Sequence, residues 1–136
     1  MFFQSLPVDV ERPDFIYENG ILVIGNKDIV NKAINRKVEG AKCIPTDANW
    51  TFTPIISEFK FYSSMNLDLT IYFYLDYMNT SSIRYWKEVL NILNKMKSNG
   101  CNIRIVWNYL EIDERIEEQG EDFKQFCNFE FKLKKY

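Results

Sequence analysis

Four small polar residues, Asn79-Thr80-Ser81-Ser82, follow the longest alternating apolar segment of the chain. Side-chain oxygens at such a position cap a helix, because they accept hydrogen bonds from first-turn N–H groups that have no helical partner. The same hydroxyls can also carry a phosphoryl group, which would place about −1.5 to −2 charges at the positive end of the helix dipole. Spacing alone therefore leaves two compatible interpretations open, a helix cap and a modification site.

A dense acidic stretch lies further along the chain. It holds seven carboxylates against a single Arg115: Glu111, Asp113, Glu114, Glu117, Glu118, Glu121 and Asp122. Charge runs usually form solvated faces. The alternatives are a docking surface for a partner, or a surface that assists Mg²⁺ during phosphate transfer, because carboxylates suit Mg²⁺.

Several catalytic classes are excluded by composition. The chain has no histidine, which removes Ser-His-Asp and Cys-His catalysis, and its five glycines form no phosphate-binding loop. The remaining enzymatic alternative is a small hydrolase or transferase that uses Asp113, Glu114 or Glu118 as acid and base, as paired carboxylates do in glycosidases. We expect a non-enzymatic protein with no metal and no cofactor of its own.

Length and charge limit the class of protein. A chain of 136 residues fits one domain, and its net charge of −2 argues against nucleic-acid partners and anionic membranes. The sequence has no apolar run long enough for a transmembrane helix. Cys43, Cys101 and Cys127 are odd in number and far apart, which favours reduced, buried thiols in a cytoplasmic protein.

A parallel βαβ unit is predicted around the polar run. Residues 67–77 alternate as a strand, with Tyr72 and Tyr74 on the face opposite the main apolar row, so we expect both faces to be covered. The apolar row consists of Leu67, Leu69, Ile71, Phe73, Leu75 and Tyr77. A helix with an apolar stripe from Ile83 to Met96 follows, and residues 101–109 form the next strand. Since parallel strands end at the same edge of a sheet, the polar run and the acidic stretch should meet there.

The flanking segments complete a single α/β domain with a mixed sheet. Asn19-Gly20 predicts a hairpin between residues 14–17 and 21–25. Residues 26–35 are predicted to be a loop and 36–44 a strand. A helix should begin at Pro45-Thr46-Asp47, and Pro54 either starts a second helix or kinks the first.

The C-terminal part should contain one more helix and one more strand. An acidic helix is expected at 113–126, followed by a strand marked by Phe129, Phe131 and Leu133. The basic tail, residues 132–136, should remain at an edge of the sheet.

Two sequence motifs occur in order on either side of the central helix. The first is Leu75-Asp76-Tyr77-Met78-Asn79-Thr80-Ser81-Ser82. The second is Val106-Trp107-Asn108-Tyr109, then Asp113-Glu114, then Glu118-Gln119-Gly120-Glu121-Asp122-Phe123. Together they resemble the signatures of the SiaC family of bacterial regulatory phosphoproteins. The resemblance covers residues 45–131, after an N-terminal hairpin and an atypical insertion at 26–44.

This resemblance implies a partner-switching regulator whose arrangement of strands and helices is similar to that of anti-sigma-factor antagonist (STAS-like) domains. It implies that a dedicated kinase, using Mg-ATP, phosphorylates Thr80 and that a metal-dependent phosphatase removes the phosphate. It also implies that the unphosphorylated form activates an effector, a diguanylate cyclase linked to biofilm formation. Asn79, Ser81 and Ser82 would then shape the site, and the acidic stretch would act as a partner-binding or charge-switch surface. The non-enzymatic alternative is a constitutive interaction scaffold.

Overall fold

The computed structural model describes residues 12–25, 41–45 and 47–135. The strands in these ranges are β1 (Asp14–Glu18), β2 (Ile21–Gly25), β3 (Ala41–Cys43), β4 (Leu69–Met78), β5 (Ile103–Tyr109) and β6 (Glu130–Lys135). The helices are α1 (Ala48–Met65), α2 (Thr80–Ser98) and α3 (Glu114–Phe126). The predicted loop at 26–35 and the first part of the predicted strand at 36–44 lie outside the described residues, and β3 is the remainder of that strand.

The predicted hairpin is confirmed. β1 and β2 pair antiparallel from Asp14↔Gly25 to Glu18↔Ile21. The two residues between them, Asn19 and Gly20, have φ angles of 51° and 83°. Positive φ at both central residues is the geometry of a type I′ turn, whose twist matches that of the strands.

The sheet is mixed, with strand order β1-β2-β4-β5-β6, and β3 pairs with the last part of β4. β2, β3 and β5 each pair parallel with β4, and β6 pairs parallel with β5. The parallel βαβ unit is therefore confirmed. β6 lies at one end of the strand order, so the lysines of the tail flank an edge as predicted.

The core lies between one face of the sheet and the three helices. Phe73 of β4 contacts Trp86 of α2 and pairs in register with Trp107 of β5, which contacts Phe123 of α3. Trp86 in turn packs against Phe52 of α1. All three helices therefore cover the same face. Tyr72 and Tyr74, on the opposite face, are half-buried.

Helix α1 is one continuous helix. Asp47 caps it by accepting a hydrogen bond from the backbone N–H of Trp50 at 3.0 Å. Pro54 lies within this helix and does not begin a second one. Among the described residues, none of the helices is long and apolar enough to cross a membrane.

Candidate functional site

The polar run and the acidic stretch lie at one edge of the sheet. Strands β3, β4 and β5 are parallel and lead into α1, α2 and α3 respectively, so each helix begins where its strand ends. We call the surface formed by residues 47–50, 76–82 and 110–119 the carboxyl edge. Ligands of open α/β sheets bind at this kind of edge.

A β-bulge at the end of β4 sets the geometry of this edge. Ala41 pairs with Leu75 but Lys42 pairs with Tyr77, so β4 contains one extra residue, Asp76. An extra residue reverses the inward and outward alternation of the residues that follow it. Met78 is therefore buried and Tyr77 is 44% exposed. The prediction that Tyr77 continues the buried row is wrong for this reason.

Asn79 caps α2 and holds the polar run in place. Its backbone is extended (φ −82°, ψ 166°). Its Oδ1 accepts hydrogen bonds from Ser82 N at 3.1 Å, Ser82 Oγ at 2.6 Å and Ser81 Oγ at 3.3 Å. The Asn79 N–H donates to the carbonyl of Cys43 at 3.0 Å, which ties the cap to β3. The capping interpretation is therefore correct for Asn79.

The three hydroxyl groups of the run differ in exposure. Ser82 is fully buried, and the Cys43 carbonyl, 3.3 Å from its Oγ, is a second acceptor for its proton. Ser81 is exposed but bonded to Asn79. Thr80, the first residue of α2, is exposed, and within the described part of the chain its hydroxyl forms no hydrogen bond. Thr80 is therefore the hydroxyl that a modifying enzyme could reach with least rearrangement.

Removal of the cap should destabilise the protein measurably. We expect Asn79→Ala to lower the free energy of unfolding by about 1–2 kcal/mol, because the N–H and Oγ of buried Ser82 lose their shared acceptor. Urea denaturation measures this change. Asn79→Asp is the matched control, because it retains the acceptor oxygen and adds a negative charge at a helix N-terminus. Equal losses in both variants would contradict this role of the side-chain oxygen.

Helix α3 is fixed to the sheet by two side chains of β5. Trp107 Nε1 donates a hydrogen bond to the carbonyl of Ile116 at 2.9 Å, and the Tyr109 hydroxyl donates to Glu117 Oε2 at 3.0 Å. Burial raises the pKa of Tyr109 above its ordinary value. The hydrogen bond to Glu117 and the negative charge of Glu117 act in the same direction. Tyr109 therefore remains a protonated donor to Glu117 at neutral pH.

Gly120 allows the indole ring to approach the helix. A Cβ at this position would lie 2.5 Å from Trp107 Cδ1 and 2.6 Å from Nε1, closer than van der Waals contact permits. Phe123, one turn later, packs edge-on against the same indole, with ring centroids 5.5 Å apart. The Gly and Phe of the second motif therefore have a packing role.

The carboxylates of the acidic stretch do not form one uniform face. Asp113 caps α3 through Ile116 N at 3.2 Å, and Glu117 accepts from Tyr109. Asp122 pairs with Lys87 of α2 at 3.3 Å, and Glu111 with Lys135 at 3.8 Å. The remaining three are exposed and form no ion pair within the described ranges: Glu114, Glu118 and Glu121.

A small cleft lies between the end of β4 and the start of α3. It has a volume of about 180 Å³ and is lined by Asp76, Tyr77, Met78, Asp113, Arg115, Ile116 and Gln119. The Lys87–Asp122 pair and the bond from Asn94 Nδ2 to the Phe126 carbonyl, at 3.1 Å, hold α2 and α3 side by side. The polar run follows directly after Met78, which lines this cleft together with Asp113 at the start of the acidic stretch.

Sequence reasoning missed three features of this edge. Arg115 lines the cleft. Trp50 and Ile112 are exposed at 56% and 90%. The hydrophobic pattern of the sequence does not indicate that these two side chains are exposed, because it predicts burial for large apolar residues.

Within the described ranges, no group of three acidic or cysteine residues could hold a metal ion.

Comparison with known proteins supports the resemblance. The family model described as SiaC family regulatory phosphoprotein matches residues 32–136. An uncharacterized protein of Pseudomonas aeruginosa strain UCBPP-PA14 is 33% identical over 57 residues, which span 42% of this chain and 45% of that protein. The chain thus covers less than half of this relative.

Two solved structures have the same fold. One is the crystal structure of the diguanylate cyclase SiaD in complex with its activator SiaC from Pseudomonas aeruginosa, with a TM-score of 0.74, 21% identity, and coverage of 96% of this chain and 97% of that chain. The other is apo-SiaC from the same organism, with a TM-score of 0.73, 20% identity and 94% coverage of both chains. The family model matches well over half of the sequence, and the chain belongs to the SiaC family of regulatory phosphoproteins.

Proposed function

We propose that this chain is a phosphorylation-controlled, non-enzymatic activator of a diguanylate cyclase. The observation that carries the proposal is the exposed Thr80 hydroxyl at the start of α2, at the carboxyl edge of the sheet. Membership of the family supports a regulatory role. A SiaC protein that shares this fold is an activator of the cyclase SiaD, which supports the choice of effector.

The unphosphorylated chain binds the cyclase through the carboxyl edge. A dedicated kinase transfers the γ-phosphoryl group of Mg-ATP to Thr80 Oγ1, and the threonine proton leaves to a base of the kinase. A metal-dependent phosphatase hydrolyses the new O–P bond. This chain supplies the acceptor and the partner surface but none of the catalytic groups.

Electrostatics explains why phosphorylation would release the effector. The phosphoryl group adds about −1.5 to −2 charges to the carboxyl edge, which already contains Asp76, Asp113 and Glu114. Charges within about 8 Å of one another are only partly screened at physiological salt. Docking removes the solvent that screens these charges, so the repulsion between the phosphate and the carboxylates grows in the complex and opposes docking, together with the cost of desolvating the phosphate.

Activation of a cyclase tests the proposal directly. We expect the purified, unphosphorylated chain to form a complex with the SiaD-like diguanylate cyclase of the source organism and to raise its rate of cyclic di-GMP formation from GTP. Size-exclusion chromatography and a product assay measure the two effects. A cyclase whose binding and rate do not change when the chain is added would contradict the proposal.

A further inference from the structure

Ile112 is the most exposed large apolar side chain in the described part of the chain, at 90%. It lies in the turn between β5 and α3. The N–H of Asp113 bonds to the carbonyl of Leu110 at 2.9 Å, and the Asp113 side chain caps α3. Because both ends of the turn are held, Ile112 projects into solvent from a fixed backbone.

Two exposed aromatic side chains, Tyr77 and Trp50, lie on the carboxyl edge together with Ile112. Tyr77, at the bulge of β4, lines the cleft, and Trp50 lies in the first turn of α1. Their exposed fractions are 44% and 56%. Helix α2 packs against both α1 and α3, so Thr80 begins the middle helix of the three. The modifiable hydroxyl therefore belongs to the same surface as these apolar side chains.

We propose that Ile112 is the anchor of this docking surface and that the diguanylate cyclase receives it in an apolar pocket bordered by basic side chains. This inference rests on the proposed function. Interfaces obtain most of their affinity from a few side chains that enter well-packed pockets. Because the backbone that carries Ile112 is already held, little backbone entropy is lost on binding.

Charge complementarity determines the chemistry of the partner. Three carboxylates, Glu111, Asp113 and Glu114, lie within two residues of Ile112, and they outnumber the two neighbouring cations, Arg115 and the Lys135 that pairs with Glu111. A second copy of this chain would bring the same carboxylates to the contact, and like charges that face each other oppose association. An apolar pocket bordered by basic residues would accept the Ile112 side chain and also pair with the carboxylates beside it. These basic side chains border only the pocket for Ile112, so a phosphoryl group at Thr80, at the start of the middle helix, would be desolvated on docking without gaining a partner of its own.

A matched pair of variants tests the anchor. Ile112→Thr removes the apolar end of the side chain but retains its branching, and Ile21→Thr makes the same change at a 47% exposed position at the start of β2, away from the carboxyl edge. Isothermal titration calorimetry against the purified SiaD-like cyclase measures affinity. We expect Ile112→Thr to weaken binding at least about tenfold and Ile21→Thr to leave it unchanged. The thermal unfolding midpoint of Ile112→Thr should equal that of the wild type, because residue 112 is almost fully exposed.

Three outcomes would overturn the inference, and they are distinguishable. If wild type and Ile112→Thr bind the cyclase equally, the anchor is elsewhere and the proposed function is unaffected. If the wild type does not bind the cyclase, the proposed function is wrong and the inference fails with it. If the chain alone forms a dimer in analytical ultracentrifugation that Ile112→Thr dissociates, the occupant of this surface is a second copy of the chain.

Discussion

The chain phosphorylated at Thr80 is expected to bind its cyclase about a hundredfold more weakly than the unmodified chain. This corresponds to about 3 kcal/mol, the order of magnitude expected when a phosphate is desolvated beside carboxylates. Thr80→Ala should bind as tightly as the wild type and resist the kinase, which leaves the effector permanently activated. Isothermal titration calorimetry on the phosphorylated and unmodified chains measures the difference.

Two further variants separate the position of the charge from its presence. Thr80→Asp should weaken binding less than phosphorylation does, because a carboxylate carries about half the charge of a phosphate. Ser64→Asp adds the same charge at an exposed position near the end of α1, away from the carboxyl edge, and should leave affinity unchanged. Equal affinity of the phosphorylated and unmodified chains would refute the switch, and equal losses in Thr80→Asp and Ser64→Asp would refute its location.

Gly120→Ala is expected to lower the free energy of unfolding by about 3 kcal/mol. The added Cβ would lie 2.5 Å from Trp107 Cδ1; Trp107 and Gly120 are both buried, and the indole is held by its hydrogen bond to the Ile116 carbonyl. Overpacking of this kind typically costs about 1–3 kcal/mol, and contact with two rigid partners should give the upper end of that range. Urea denaturation, monitored by tryptophan fluorescence, measures the loss.

A control and a second-site variant identify the clash as the cause. Glu118→Ala changes an exposed position of the same helix and should alter stability by no more than about 0.5 kcal/mol. Trp107→Val removes the ring atoms Cδ1 and Nε1 that the new methyl group would meet, so Gly120→Ala should cost less in a Trp107→Val background than in the wild type. Additive losses in the double variant would mean that the indole is not what excludes a side chain at residue 120.

Local features of the fold were predictable because neighbouring residues determine them. Asn19-Gly20 supplies the positive φ angles that a two-residue hairpin needs, so the β1–β2 pairing followed from two residues. Asn79 and Asp113 cap their helices through backbone groups only three residues away. The alternation of β4 up to Leu75 likewise depends on a repeat that the sequence displays directly.

Features that depend on distant residues were not predictable in this way. The bulge at Asp76 exists only because β3 pairs with β4 in a shifted register, and that shift exposes Tyr77. The resemblance to a known family identifies Gly120 as part of a motif. Why the motif needs glycine at this position becomes clear only from the location of the Trp107 indole against it. The sequence predicts one uniform acidic surface, whereas in the structure Glu117 is bonded to Tyr109 and Asp122 is paired with Lys87.

The sequence by itself determined the α/β class, the parallel βαβ unit and the presence of a capped helix at Thr80. These properties arise from hydrophobic period and from hydrogen bonds between residues close in the chain. Only the tertiary structure decided which hydroxyl is exposed, which carboxylates are already paired, and that Ile112 projects from the carboxyl edge. Exposure and pairing depend on which strands and helices come into contact across the fold, and such contacts join residues that the linear sequence keeps far apart.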